Sequence, residues 1–172
     1  IERFTDPGDI VCDPFMGGGT TIVEAIASNR YAIGIDLNTL STFVSSVKTT
    51  PIGANERKEI VNWLNKTKEY TNNSIVDIFL REKAIAKHIK RFITLILSRI
   101  QYLPKREHRK FVRCALLRTG QWATEVAYKW PTQKNMWEYF EKRVTDMLLE
   151  MDSFVSLCKK DDITASEIIS RR

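Results

Sequence analysis

The sequence lacks the marks of several common protein classes. No apolar run approaches the ~18 residues of a membrane span, and the N-terminus has neither a cationic region nor an apolar signal core. A cytoplasmic globular protein is the expectation. Cys12, Cys114 and Cys158 are widely spaced and odd in number, which points to reduced thiols and gives no zinc pattern, so no metal is expected. Cys12 reads as a small buried hydrophobe in a strand. The two histidines, His88 and His108, sit among cations and read as solvent-facing rather than catalytic. The five prolines, Pro7, Pro14, Pro51, Pro104 and Pro131, include no adjacent pair. Repeats and low-complexity runs are absent. At 172 residues the chain can still bury a sizeable core.

What is present concentrates near the start. Ile10-Val11-Cys12-Asp13-Pro14-Phe15-Met16-Gly17-Gly18-Gly19-Thr20-Thr21 is a short apolar run, an acidic residue, a glycine turn and the start of a helix with Ile22, Ala25 and Ile26 on one face. A strand, a glycine turn and a helix N-terminus form the ligand corner of an open α/β sheet. A second apolar run, Tyr31 to Ile35, ends in Asp36, 19 residues after Gly17. That is about where such folds place the carboxylate that accepts ribose hydroxyls. A nucleoside-bearing ligand is therefore expected. The dinucleotide pattern G-x-G-x-x-G fails, because Thr20 to Val23 follow the glycines. The triphosphate pattern G-K-[ST] fails too, since no lysine lies between Ile1 and Val47. The pocket is expected to hold no fixed cation for a phosphate. An acidic residue at the strand end instead suits a cationic or amino-bearing ligand.

Asp13-Pro14-Phe15-Met16-Gly17-Gly18-Gly19-Thr20-Thr21 resembles the DPFxGxGTT motif of the DNA amino-methyltransferases, which methylate N6 of adenine or N4 of cytosine. Val23-Glu24-Ala25 and Gly34-Ile35-Asp36-Leu37-Asn38 are similar to that family as well, and the likeness spans Phe4 to about Pro51. The resemblance implies S-adenosyl-L-methionine as cofactor. It further implies that Phe15 and the backbone of Gly17, Gly18 and Gly19 line the methionine end. Asp13, Thr20 and Thr21, beside Pro14, would bind the amino-acid part or order the turn. Asp36 would take the ribose, and Leu37 and Asn38 would flank the adenine. The family's catalytic Asp/Asn/Ser-Pro-Pro-Tyr/Phe/Trp tetrapeptide is absent, so no catalytic residue is expected in this chain. The expectation is a cofactor-binding fragment whose partner is a separate catalytic half or a second copy of itself.

The fold class expected is α/β: a partial Rossmann-like methyltransferase sheet with two clear parallel strands, then a mostly helical block. Residues 1–53 would form the cofactor part, 54–160 a helical insertion, and 161–172 a tail or the next strand. A helix should follow Asp36 and end before Thr49-Thr50-Pro51-Ile52-Gly53. Further helices are read over Glu56 to about Tyr70, Asp77 to Tyr102 and Glu107 to Tyr128. The last, to about Cys158, is capped by Thr132 and turns Trp137, Phe140, Val144, Met147, Leu148, Met151 and Val155 inward. Thr71-Asn72-Asn73-Ser74 reads as a polar loop, and Gly120 within a helix as a site of close backbone approach.

Charge is uneven along the chain. Of 27 basic and 21 acidic residues, 1–53 holds three and six, leaving 24 and 15 for the rest. Arg81 to Arg118 contains twelve basic side chains against Glu82 and Glu107. Lys87, Lys90, Arg91, Arg106, Arg109, Lys110 and Arg113 are the candidates for contact with double-stranded DNA, because phosphate neutralisation supplies most non-specific affinity. A solvated helix face is the bland alternative. Two functions stand at this point. One is a site-specific DNA methyltransferase fragment; the other is a non-enzymatic helical nucleic-acid-binding module with a vestigial cofactor fold.

Overall fold

A computed structural model of the chain describes residues 1–73, 87–126 and 130–160. The elements in order are strand β1 (Ile10–Asp13), helix α1 (Thr20–Ala27), strand β2 (Tyr31–Gly34), then helices α2 (Thr39–Lys48), α3 (Ala54–Asn73), α4 (Lys87–Ile100) and α5 (Arg106–Gln121). A π-helical turn over Trp122–Val126 and helix α6 (Gln133–Lys160) complete the order. The residues group into two units, Ile1–Ile52 with Leu149 onward, and Gly53–Leu148. Among the described residues no helix is long and apolar enough to cross a membrane.

In the first unit β1 and β2 pair in parallel, Ile10 opposite Tyr31 through Asp13 opposite Gly34. Side chains alternate across a strand, so one sheet face carries Val11, Asp13, Ala32 and Gly34. Helix α1 covers that face with Ile22, Ala25 and Ile26. Gly34 lets the helix come close: a Cβ there would lie 3.0 Å from Ile22 Cδ1 and would also strike the Met16 sulfur. Arg30 is buried at the head of β2 and donates to the carbonyls of Thr5 and Ser28 and, at 3.2 Å, to Thr5 Oγ1. The N-terminal segment is thereby fastened to the α1–β2 turn.

Among the described residues the side chains of the opposite sheet face are exposed. Ile10 is 66% exposed, and Tyr31, Ile33 and Ile35 are exposed beside it. Cys12 lies on this face and is exposed, contrary to the buried position its strand suggested. Strand membership buries a side chain only where a layer covers its face, and α1 covers the other one.

The second unit has a separate core. Ile60, Trp63, Leu64 and Thr67 of α3, and Ile89, Phe92, Ile96 and Ile100 of α4, are buried as their periodicity requires. Phe92, Trp137 and Phe140 meet edge to face with centroids 5.5 to 6.0 Å apart. Each such side chain contributes ~1.5–3 kcal/mol on burial. Trp63 Nε1 donates to the Arg99 carbonyl at 3.0 Å, and Arg57 donates to that of Leu148 at 2.8 Å. Thr132 caps α6 by accepting from the Asn135 amide at 3.2 Å.

Several expectations change. Helix α3 runs through Thr71, Asn72 and Asn73 instead of stopping at a polar loop. Asn and Thr cost less than ~0.7 kcal/mol each in a helix, which continued backbone hydrogen bonding outweighs. On α6, Met147 and Val155 are only half-buried, whereas Phe154 and Cys158 are fully inward. His108 is completely buried, because its position in α5 falls on the apolar face shared with Phe111, Val112 and Ala115. His88 is half-buried, with Nε2 2.7 Å from the Pro131 carbonyl oxygen. The expected strand or tail over 161–172, Ser74 of the expected loop, the part of the Asp77–Tyr102 helix up to residue 86, and the end of the Glu107–Tyr128 helix lie outside the described residues.

Gly120 does not mark a close backbone approach. A Cβ there would meet only Ile93 Cδ1, at 3.6 Å, an ordinary contact. Gly120→Ala should therefore raise stability by up to ~1 kcal/mol in urea unfolding. Gly19 is the reverse case: its φ is 77°, and a Cβ would lie 2.7 Å from Ser45 Cβ and 3.2 Å from Ser45 Cα. Gly19→Ala should lower stability by ~1–3 kcal/mol in the same measurement.

Candidate functional site

The corner at the carboxyl end of the sheet is built by hydrogen bonds between the two strand ends. The Ile35 amide donates to the Asp13 carbonyl at 2.9 Å, and the Met16 amide returns to the Ile35 carbonyl at 3.1 Å. The chain then turns through Gly17 and Gly19, both at positive φ of 48° and 77°, where a side chain would be strained. The Gly19 amide closes the turn on the Met16 carbonyl at 2.7 Å. Asp13 Oδ1 accepts from the Phe15 amide at 3.1 Å, so this carboxylate shapes the turn. Phe15 then projects outward, 85% exposed, beside exposed Pro14 and Gly18. Thr20 is exposed and Thr21 half-buried in the first turn of α1, whose N-cap Gly19 offers no side-chain acceptor.

Asp36 joins the second strand to this turn. Its Oδ2 accepts from the Gly17 amide at 2.8 Å and its Oδ1 from the Asn38 amide at 2.7 Å. The bonds from Asn38, Gly17 and the Ser41 hydroxyl hold its carboxyl below the usual aspartate range. A lowered pKa means the carboxylate's contribution is complete above the ordinary value and is lost as pH falls through the lowered one. Asp36 does not cap α2. Asn38 does, with Oδ1 accepting from the Leu40 amide at 2.9 Å. Leu37 between them is fully exposed.

One feature of the corner departs from the expectation of no nearby cation. Lys48, the last residue of α2, donates from Nζ to the Gly18 carbonyl at 2.6 Å. It lies one residue beyond the lysine-free stretch that begins the chain, and helix α2 carries it back to the turn. Sequence spacing holds no signal for this return.

The basic residues lie in the second unit. Lys87 and Arg91 of α4 and Arg106 and Arg113 of α5 are exposed, while Lys90, Arg109 and Lys110 are half-buried. On each helix they occupy the side opposite the buried residues, and α4 packs against α5. Beneath this face the buried His108 has Nδ1 3.4 Å from Glu59 Oε2 and Nε2 3.7 Å from Glu56 Oε1. Neither nitrogen makes a hydrogen bond among the described residues. Glu56 accepts from the Lys105 ammonium and, at 2.8 Å, from the Gly53 amide, and these hold its carboxyl below the usual glutamate range. This cluster has no signature in the sequence because Glu56 and His108 are 52 positions apart. Among the described residues no group of His, Cys, Asp and Glu could hold a metal ion.

The sequence that forms the corner has counterparts among known proteins. A family model described as DNA methylase matches residues 1–44. The type II methyltransferase M.MjaII of Methanocaldococcus jannaschii is 38% identical over 98 residues, which are 55% of this chain and 18% of that protein. The type II methyltransferase M.MvaI of Kocuria varians is 52% identical over 40 residues, 23% of this chain and 9% of its own length. M.BglI of Bacillus subtilis, another type II methyltransferase, is 36% identical over 77 residues, 45% and 21% of the two chains. The chain thus spans about a fifth or less of the length of these relatives. No solved structure matches it. The glycine corner and its acidic partner after the second strand both fall within the residues 1–44 that match the DNA methylase family model, and the likeness to the type II methyltransferases extends that similarity.

Proposed function

We propose that this chain is the S-adenosyl-L-methionine-binding part of a site-specific DNA methyltransferase that acts on an exocyclic amine of adenine or cytosine. The observation that carries the reading is the Asp36 carboxylate bound to the Gly17 amide at 2.8 Å. It holds a ribose acceptor in fixed relation to the glycine turn. The bonds from Gly17, Asn38 and Ser41 use three of the carboxylate's four lone pairs and leave one open to a sugar hydroxyl. Exposed Phe15 and Leu37 are apolar surfaces suited to the methionine end and the adenine. Asp13 suits the amino group, with Gly17, Gly18 and Gly19 offering backbone and Thr20 and Thr21 hydroxyls. Asn38 flanks the adenine, with its Oδ1 engaged in the α2 cap. These residues fit the cofactor. Bound S-adenosyl-L-methionine supplies a methyl group on a sulfonium sulfur, open to attack by the amine.

Lys87, Lys90, Arg91, Arg106, Arg109, Lys110 and Arg113 are assigned to the phosphates of double-stranded DNA. The target amine has to be held by a Pro-Pro motif that none of the five prolines supplies. In this reading a catalytic half, or a second copy of the chain, provides the missing cover for Ile10, Cys12, Ile33 and Ile35 on the open sheet face. A parallel sheet is stable with both faces covered, and the open face favours such an association. The cytoplasm, where DNA and cofactor meet, is the assigned location.

Titration with S-adenosylhomocysteine tests the reading. Micromolar binding is expected, and Asp36→Ala should weaken it by ~1–3 kcal/mol, the cost of an acceptor lost from the ribose. Unchanged affinity in that variant removes Asp36 from the site. Absence of binding by the unaltered chain, with DNA affinity retained, favours the nucleic-acid-binding module instead.

A further inference from the structure

We infer that Lys48 is the side chain that receives the α-carboxylate of the bound cofactor, an assignment that rests on the cofactor reading above. The amino-acid end of that ligand carries one positive and one negative group. Asp13 at the end of β1 suits the ammonium and repels the carboxylate. The stretch 1–52 contains three basic residues, Arg3, Arg30 and Lys48. Arg3 lies over the Phe4 ring, 5.6 Å from its centroid. Arg30 is buried and engaged with Thr5 and Ser28, at the other end of β2 from the glycine turn. Lys48 alone of the three reaches that turn.

Its placement suits an anion at the rim. Nζ donates to the carbonyl of exposed Gly18 at 2.6 Å and stands 3.6 Å from where a Gly18 Cβ would be. An ammonium has three N–H donors, and that bond uses one. Lys48 is itself exposed, so the remaining donors are open to a ligand carboxylate arriving over the crest of the turn. The carbonyl fixes the end of a long flexible side chain, which lowers the entropy lost when a ligand binds. Six acidic residues in 1–53 otherwise make the corner unfavourable for an anion.

Binding of two ligands to the full chain tests the assignment: S-adenosylhomocysteine and its decarboxylated analogue, which keeps the amino group. Lys48→Met should weaken S-adenosylhomocysteine roughly tenfold while the analogue stays within about twofold, and Lys48→Arg should bind both nearly as the unaltered chain does. Equal weakening of both ligands would mean that Lys48 only holds the shape of the turn, and no weakening would mean that the carboxylate goes elsewhere. Either result overturns the assignment and leaves the cofactor reading intact. Failure of the unaltered chain to bind S-adenosylhomocysteine overturns that reading and the Lys48 assignment together.

Discussion

The hydrogen bond from the Gly17 amide to Asp36 ties the end of the second strand to the turn that leaves the first. The rest of the corner depends on it. It joins residues 19 positions apart and works only if both strand ends lie side by side, which the parallel register from Ile10 opposite Tyr31 to Asp13 opposite Gly34 provides. The register in turn needs α1 pressed against the sheet. Gly34 permits this by leaving room for Ile22 and Met16, as Gly19 does for Ser45 on α2. A backbone amide, a carboxylate and two missing side chains thus define one local geometry, and Asn38 relieves Asp36 of any capping duty.

The two units divide the physical work differently. The first is acidic, glycine-rich at its corner and half-covered, with apolar side chains left on one sheet face. The second has its own core around Phe92, Trp137 and Phe140 and displays the basic residues of α4 and α5 on its surface. The half-buried Glu56 carboxylate of that second unit has partners at hand in Lys105 and the Gly53 amide, and the buried His108 ring lies near Glu56 and Glu59.

Periodicity and turn chemistry make much of this legible in the amino-acid sequence. Ile22, Ala25 and Ile26, or Ile89, Phe92 and Ile96, recur at helical spacing because one face meets a core, and that face is written locally in the chain. The Asp13–Thr21 motif is legible because glycines and a strand-end carboxylate are needed at fixed offsets. What stays hidden depends on distant partners. Cys12 is exposed because, among the described residues, no layer covers its side of the sheet, which a strand pattern alone does not reveal. His108 is buried between residues of another helix. Lys48 reaches Gly18 across 30 positions, so a search for cations near the turn in sequence misses it.

The central claim is that the glycine turn and Asp36 form one ligand site. Amide-resolved NMR of the full chain during titration with S-adenosylhomocysteine tests this most directly. The account predicts that the largest shifts fall on Gly17, Gly18, Gly19 and Asn38, all saturating at one ligand concentration. Shifts confined to α3–α6, or a corner that stays unperturbed while ligand binds, would contradict it.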